Sequence, residues 1–183
     1  FGDRDRGRVL VLQLGAEPPQ APADHLRDKA EERDRDPREE PEPRLQPELF
    51  VYSFPVRVYF ENTDAGGVVY HGEYLKFLER ARTEWLRHLG FDHQNLARNH
   101  RIVFVVTQAV ADFLKPARLD DNLAVSVQLE SLGKVRCVFV QEIRRDDELL
   151  VRAKITVACV TGEHFKPAEI PEALRRKMQA SLQ

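Results

Sequence analysis

The chain has 183 residues and a mass of 21.1 kDa, a length that fits one domain or one smaller domain with an appendage. Its 28 basic residues nearly balance its 30 acidic residues, which excludes a protein that holds nucleic acid by neutralising phosphates, since that class shows a basic excess. No run is long enough to span a membrane, and no phosphate-binding glycine loop or metal-ligand spacing occurs, so we expect neither a metal nor another cofactor.

Residues 1–48 differ in character from the rest of the chain. They contain 9 basic and 13 acidic residues, 7 of the 11 prolines and a single aromatic residue. A segment of this composition cannot bury enough apolar surface to offset the entropy of ordering. A short apolar run over residues 9–14 follows arginines, as in an export signal, but the nearby Asp3 and Asp5 argue against one. We predict a disordered or non-native, charged, proline-rich extension over residues 1–48 and one domain over residues 49–183.

The predicted domain begins with a strand, a loop and one long helix. Residues 54–60 alternate apolar and polar and then become fully apolar, which predicts a strand. Residues 61–67, which end in two glycines, predict a loop. Residues 72–89 predict an amphipathic helix, because their apolar side chains recur at the spacing i, i+3, i+4, i+7. Gly90 lies where a helix C terminus favours a left-handed residue.

After the long helix the hydrophobic pattern changes to a period of two. Apolar or alternating runs predict four strands, over residues 102–113, 123–130, 135–143 and 150–161. The breaks between the last three are short enough for hairpins, which implies antiparallel pairing. A short terminal helix is predicted over residues 171–182. Because the long helix must bury its apolar face on the sheet, the pattern predicts an α+β domain.

The two cysteines, Cys137 and Cys159, both lie in strand-like runs. Small buried thiols are common in such positions, and two cysteines do not indicate a secreted fold held by disulfides. We therefore expect buried free thiols at both positions rather than a disulfide.

One segment combines features that suit catalysis: residues 62–72, which read Asn-Thr-Asp-Ala-Gly-Gly-Val-Val-Tyr-His-Gly. Asp64 precedes a Gly-Gly pair, and glycines allow the backbone to approach a ligand closely. The start of the following helix presents free N–H groups and the positive end of its dipole. A carboxylate that faces such donors suits attack on a carbonyl, where negative charge develops on oxygen.

Structural explanations remain open for the same residues. An Asp near a helix start is most often a cap and a Gly-Gly pair is most often a turn, although Asp64 lies too far before the periodic helix for an ordinary N-cap. A lone His near a helix start, such as His71, is also often structural. Glu61 and Glu73 are interpreted as solvent-facing charges.

The run over residues 56–71, Val-Arg-Val-Tyr-Phe-Glu-Asn-Thr-Asp-Ala-Gly-Gly-Val-Val-Tyr-His, resembles the signature of hotdog-fold acyl-CoA thioesterases. It is most similar to the YbgC branch, which is related to 4-hydroxybenzoyl-CoA thioesterase. Residues 79–84, Glu-Arg-Ala-Arg-Thr-Glu, and 116–121, Pro-Ala-Arg-Leu-Asp-Asp, also match that branch. The resemblance covers roughly residues 50–183 and not residues 1–48. It implies the hotdog fold, an antiparallel five-strand sheet wrapped around one long central helix.

The resemblance also implies roles for four residues of the loop. Asp64 matches the family's catalytic carboxylate, which acts either as nucleophile on the thioester carbonyl or as general base on water. His71 matches the residue at the helix start, whose backbone N–H polarises the thioester oxygen and whose side chain is also implicated in this branch. Gly67 and Tyr70 are expected to shape the loop around the acyl group of the substrate.

Two positions depart from the pattern of the branch. The branch commonly has Tyr where this chain has Phe60 and Asp where it has Asn62. Neither change removes Asp64 or the Gly-Gly pair, so we expect hydrolysis to persist. Loss of the second carboxylate is expected to remove a like charge near Asp64 and to favour its ionised form.

The resemblance implies an enzyme that hydrolyses acyl-CoA thioesters to a free acid and coenzyme A. Family members form homodimers or homotetramers with active sites between subunits, and the YbgC branch is associated with the Tol-Pal system of the cell envelope. We expect a cytoplasmic enzyme, with an acyl carrier protein as another acyl donor and no nucleic-acid partner. Candidates for binding the coenzyme A phosphates, with ordinary surface charge as the alternative, are Lys115, Arg118, Lys134 and Arg136.

Two other functions stay open at this point. One is another hotdog enzyme, such as a dehydratase, although those enzymes rely on a different pairing of His with Glu or Asp, and the loop here lacks that arrangement. The other is a non-catalytic hotdog module that binds an acyl carrier or another partner and is linked to envelope phospholipid metabolism. Hydrolysis of acyl-CoA thioesters separates both from the thioesterase.

Overall fold

A computed structural model describes residues 52–182 of the chain. Its elements in chain order are β1 (Tyr52–Arg57), α1 (His71–His88), α2 (His93–Asn95), β2 (Ile102–Phe113), β3 (Asn122–Leu132), β4 (Arg136–Arg145), β5 (Glu148–Thr161) and α3 (Glu172–Ala180). Short helical turns occupy Phe60–Asn62 and Leu96–His100. The extension predicted over residues 1–48 lies outside the described residues, so it and the domain boundary stay predictions.

The five strands form one antiparallel sheet in the order β1-β3-β4-β5-β2. Tight turns join β3 to β4 and β4 to β5, as predicted, and the connection from β2 to β3 crosses the sheet. The strand β2 therefore lies at one edge and β1 at the other. The prediction of an α+β domain with one antiparallel five-strand sheet and one long helix is confirmed.

The core lies between one face of the sheet and one side of α1. Along β3 every second residue is buried, and the same alternation continues on β4 and β5. The buried residues of α1 that pack toward this face are Tyr74, Phe77, Leu78, Ala81, Trp85 and Leu86. Burial of each large apolar side chain stabilises the fold by roughly 1.5–3 kcal/mol, so this contact orients α1 on the sheet.

Both ends of α1 are well defined. The helix begins at His71, one residue before the predicted start, and Gly90 follows it with a left-handed φ of 82°, as the sequence predicts. Lys177 of α3 donates a 2.7 Å hydrogen bond to the carbonyl oxygen of Leu89, which places a cation at the negative end of the helix dipole. Among the described residues, no helix has the length and apolar character needed to cross a membrane.

The strand β1 begins two residues before the predicted strand over residues 54–60 and ends three residues before the end of that strand. It ends at Arg57, because the chain closes a tight turn at Asn62, whose N–H donates to the carbonyl oxygen of Tyr59 at 3.0 Å. Cys137 and Cys159 are buried free thiols, as expected. Burial raises the pKa of Cys137 to about 12 and that of Cys159 to about 11, so both remain protonated thiols at neutral pH.

A buried polar link ties α1 to the centre of the sheet. Gln141 of β4 is fully buried, and its amide donates 3.2 Å hydrogen bonds to the carbonyl oxygens of Leu78 and Ser126. Its side-chain oxygen accepts a 2.6 Å hydrogen bond from the guanidinium of Arg82. Burial lowers the pKa of Arg82 to about 10, so the group is desolvated yet charged at neutral pH.

We expect Gln141→Leu to lower the free energy of unfolding by about 3 kcal/mol, because it removes the acceptor of a desolvated guanidinium. The double variant Arg82→Met/Gln141→Leu removes both groups and is expected to cost less than half as much. Urea unfolding at one fixed protein concentration measures both values. Equal losses in the single and double variants would contradict the role given to this hydrogen bond.

Candidate active site

Asp64 lies in a tight turn closed by an isolated antiparallel bridge between Thr63 and Val69. The N–H of Gly67 donates to the carbonyl oxygen of Asp64 at 3.0 Å. The Asp64 carboxylate accepts a 2.8 Å hydrogen bond from the N–H of Gly66 through Oδ1, and the residue is exposed. One carboxylate oxygen is thus held by the backbone of the turn itself, while the second accepts no hydrogen bond from the described residues.

The two glycines of the turn contribute in different ways. Gly67 has a φ of 72°, a left-handed conformation that side chains disfavour, although an added Cβ would meet no atom within 4 Å. At Gly66 an added Cβ would lie 3.0 Å from Oδ1 of Asp64, so a side chain there would shift the carboxylate by a few tenths of an ångström. The Gly-Gly pair therefore sets both the path of the turn and the position of Asp64.

The start of α1 lies directly after this turn. Tyr70 is the N-cap residue, with extended backbone angles, and His71 is the first helical residue. Within residues 52–182, neither the N–H of His71 nor that of Gly72 donates a hydrogen bond. These two donors, together with the positive end of the helix dipole, can stabilise negative charge on an oxygen atom.

Aromatic side chains surround the two free donors. The exposed rings of Tyr70 and His71 lie 4.3 Å apart, and the His71 ring lies 6.4 Å from Phe113 at the end of β2. The Tyr70 ring folds over Gly72, where an added Cβ would come within 2.8 Å of it. The helix start thus has an aromatic border, and a side chain at position 72 would displace the exposed Tyr70 ring.

The four residues predicted for the site lie on one continuous loop. Its two ends are held together by the N–H of Tyr70, which donates to the carbonyl oxygen of Asn62 at 2.9 Å. The N–H of Val69 donates at 2.9 Å to the carbonyl oxygen of Ala117, in the second matching motif. Within the described residues, no hydrogen bond joins the Asp64 carboxylate to His71.

The interpretation of Glu73 as a solvent-facing charge is wrong. Glu73 is buried, and its carboxylate accepts hydrogen bonds of 2.5 Å from Lys76 and 2.9 Å from Asn62. Hydrogen bonds from Lys76 and then Asn62 hold its pKa below the usual value, although burial opposes them. A signal for this was available, because Glu73 precedes Phe77 and Ala81 by four and eight residues on the apolar stripe of α1.

The Asn62 side chain also faces away from the expected direction. Its amide contacts Glu73 and the N–H of Tyr59 rather than the carboxylate of Asp64. A carboxylate at position 62 would therefore meet Glu73 directly, so the expected relief of like charge beside Asp64 does not follow from these contacts. Asn62 instead connects the turn to α1.

The four basic candidates for phosphate binding differ in their surroundings, although all are exposed. Lys115 is paired with Glu148 at 2.6 Å, and Lys134 lies 3.8 Å from Glu169. In the described part of the chain, Arg118 and Arg136 form no ion pair. Arg118 directly follows Ala117, whose carbonyl oxygen accepts from the N–H of Val69 on the loop that carries Asp64, so among the four candidates it is the immediate chain neighbour of this contact.

A five-strand antiparallel sheet packed on one long helix, with a carboxylate turn before the helix N terminus, defines a hotdog-fold thioesterase. In agreement, residues 58–178 match the model of the Thioesterase-like superfamily. The acyl-CoA thioesterase YbgC of Haemophilus influenzae is 44% identical over 124 residues, which are 68% of this chain and 91% of that protein. This chain belongs to the YbgC family of acyl-CoA thioesterases.

Two solved structures show the same fold. A probable thioesterase from Bartonella henselae is 36% identical and superposes with a TM-score of 0.64, over 66% of this chain and 99% of that one. A 1,4-dihydroxy-2-naphthoyl-CoA thioesterase from Synechocystis is 25% identical, with a TM-score of 0.66 over 70% of this chain and 96% of that one. The predicted hotdog fold, family and enzyme class of thioester hydrolase are confirmed, while the residue roles stay predictions.

Proposed function

We propose that this chain hydrolyses acyl-CoA thioesters to a free acid and coenzyme A, with Asp64 as the catalytic carboxylate. The observation that carries the proposal is an exposed carboxylate on a turn held by its own backbone, directly before a helix start with two free N–H donors. The first donor, at His71, polarises the thioester carbonyl. Gly67 and Tyr70 hold the acyl group, the former through the path of the turn and the latter through its ring.

Both chemical routes open to Asp64 use the same geometry. As a general base, Asp64 takes a proton from water while the water oxygen attacks the carbonyl carbon. As a nucleophile, Asp64 forms a mixed anhydride with the acyl group, which water then hydrolyses. In both routes the C–S bond breaks and the coenzyme A thiolate takes up a proton. The oxyanion of the tetrahedral intermediate accepts from the helix N–H groups, each worth about 3 kcal/mol in the transition state.

The direct test is steady-state hydrolysis by the full chain of a panel of thioesters, with release of the free thiol as readout. The panel includes short and long aliphatic acyl-CoA, aromatic acyl-CoA because of the relative from Synechocystis, and acyl groups on an acyl carrier protein. We expect turnover of at least one acyl-CoA. Tight binding of acyl-CoA without any turnover would contradict the proposal and support the non-catalytic hotdog module.

We also propose that the chain forms a homodimer, or a homotetramer built from such dimers, through β2. This 12-residue strand pairs with β5 on one side only, and no other strand among residues 52–182 covers its second edge. Val106 and Val110 on this strand are 52% and 40% exposed. A long apolar edge strand invites pairing, and a second copy of β2 would cover it. Phe113, beside His71, would then lie close to the partner subunit.

The variant Val106→Lys/Val110→Lys is expected to release monomers and to lower hydrolysis by at least tenfold, because active sites between subunits would be incomplete. Sedimentation velocity should show the mass fall toward 21.1 kDa, that of one chain. The matched control is Val135→Lys, which places one charge on an exposed valine outside β2. A wild-type chain that sediments as a monomer and is fully active would contradict the proposed assembly.

The remaining expectations from the family are also proposals. We place the enzyme in the cytoplasm, where coenzyme A thioesters are its substrates, and retain the link to the Tol-Pal system. Among the basic candidates, we favour Arg118 and Arg136 over Lys115 for the coenzyme A phosphates, because the ammonium group of Lys115 is already paired with Glu148. Charge reversal at Arg118 is therefore expected to raise KM more than charge reversal at Lys115.

A further inference from the structure

We propose that Asn62 and Glu73 form a buried clamp that positions the Asp64 turn relative to the free N–H groups at the start of α1. The clamp is the hydrogen bond from the Asn62 side-chain amide to Oε2 of Glu73, 2.9 Å long. Its effect on catalysis rests on the proposed thioesterase function. Neither residue touches the reacting atoms in this proposal, and both are positioning residues.

Asn62 uses both backbone and side-chain groups to join the two parts of the site. Its side-chain oxygen accepts from the N–H of Tyr59 at 2.8 Å, and its own N–H donates to the carbonyl oxygen of Tyr59 at 3.0 Å. Its carbonyl oxygen accepts from the N–H of Tyr70, the N-cap of α1, at 2.9 Å. The residue is 2% exposed. Asp64 follows two residues later, so its position depends on where Asn62 is held.

Glu73 is the residue of α1 to which Asn62 is hydrogen-bonded. It lies in the first turn of α1, two residues after His71, and is 9% exposed on an otherwise apolar side of the helix. A buried carboxylate is costly unless it is paired, and here both oxygens are occupied, one by Lys76 and one by Asn62. The charge is also favourable near the positive end of the helix dipole.

The direction of this hydrogen bond, from a donor at position 62 to an acceptor at position 73, explains why position 62 carries an amide in this chain. The hydrogen bond needs a donor at 62 as long as Glu73 is ionised. Asn62→Asp would place two carboxylates 2.9 Å apart in a buried site, where they cannot both ionise without repulsion. The charged groups that act on Glu73 are Lys76, through a hydrogen bond, and Arg80, both on α1. The two carboxyl groups would have to share one additional proton to stay hydrogen-bonded to each other.

Three variants of the full chain test the clamp: Asn62→Asp, Glu73→Gln and the double variant Asn62→Asp/Glu73→Gln. For Asn62→Asp we expect kcat to fall roughly tenfold or more at pH 8 with KM nearly unchanged, and to recover in part at pH 6 as the pair takes up a proton. Glu73→Gln keeps an oxygen that can accept from Asn62, so its kcat should stay within about threefold.

The double variant reverses the direction of the hydrogen bond. The amide introduced at position 73 would donate to the carboxylate introduced at position 62, whose other oxygen still accepts from the N–H of Tyr59. We therefore expect kcat to return to within about threefold of wild type. A purely structural role would move the free energy of unfolding without this recovery of kcat. Asn62→Asp with wild-type kcat at pH 8, or a double variant no better than Asn62→Asp, overturns the clamp.

Hydrogen exchange measures the clamp without reference to activity. In Asn62→Asp we expect the amides of Val69 and Tyr70 to exchange roughly tenfold faster, while amides in the second half of α1 are unchanged. If the exchange rates of the Val69 and Tyr70 amides are the same in Asn62→Asp as in the wild type, the proposed clamp is wrong. A wild-type chain that hydrolyses no thioester overturns the proposed function, and the exchange result then still decides whether Asn62 and Glu73 hold the turn.

Discussion

Asp64→Asn is expected to lower kcat for acyl-CoA hydrolysis by about 10²–10⁴-fold, since an amide can act neither as nucleophile nor as general base. The substitution changes little else, because the Asn side-chain oxygen can still accept the hydrogen bond from the N–H of Gly66. The turn should therefore keep its path and KM should change little. Initial rates over a range of substrate concentrations measure both constants.

The matched control for the charge is Glu61→Gln. Glu61 is an exposed carboxylate three residues earlier, and no hydrogen bond involves its side chain in the described part of the chain. The Glu61→Gln variant should keep wild-type turnover. This result would separate the loss of the Asp64 carboxylate from a general loss of negative charge near the site. Asp64→Ala removes the carboxylate and its bond to Gly66 together. If Asp64→Ala retained wild-type turnover, the assignment of Asp64 would be wrong.

His71→Pro is expected to lower kcat by about 10²–10³-fold relative to His71→Ala, because only the proline also removes the backbone N–H donor. The helix should tolerate the change. His71 is the first residue of α1, where proline is favoured, and Tyr70 before it has φ and ψ of −60° and 133°, angles that suit a residue preceding proline. Both variants lack the imidazole, so their ratio isolates the backbone donor.

The same pair of variants decides what the His71 side chain does. The loss on going from wild type to His71→Ala measures the imidazole, which has no hydrogen-bond partner among the described residues and packs beside Tyr70 and Phe113. Circular dichroism of His71→Pro controls for loss of helix. Equal kcat in His71→Pro and His71→Ala, with helix content intact, would rule out the proposed polarising role of this N–H.

The four residues assigned to the site could be found from the sequence because they follow one another along the chain. A carboxylate, two glycines and a helix start within ten residues predict a local turn, and the bridge between Thr63 and Val69 closes that turn in the structure. The structure adds what each glycine contributes, through the left-handed φ of Gly67 and the 3.0 Å approach that a Cβ at position 66 would make to Oδ1 of Asp64. Their chemical roles stay predictions that rest on the resemblance to the family.

Partners that lie far apart in the sequence could not be found in this way. Glu73 was expected to face solvent, because a single Glu in an amphipathic helix is usually exposed, and its partner Asn62 lies eleven residues earlier across a turn. Ala117 supports the same loop from more than forty residues away, by accepting from Val69 and donating to the Tyr74 hydroxyl. Likewise, nothing in the local pattern of Arg82 pointed to Gln141.

The sequence by itself determined the class of fold, the long helix and its apolar face, and the loop with Asp64, because hydrophobic periodicity and glycine positions act through neighbouring residues. The near-neutral net charge of the whole chain excluded a protein that binds nucleic acid by neutralising its phosphates. That net charge is the sum over two segments of different composition. Only the tertiary structure decided which strands lie at the edges, how Asn62 is held by Glu73 and which basic groups are already paired. Those features depend on directional contacts between distant residues, and such contacts exist only after the sheet and α1 have packed together.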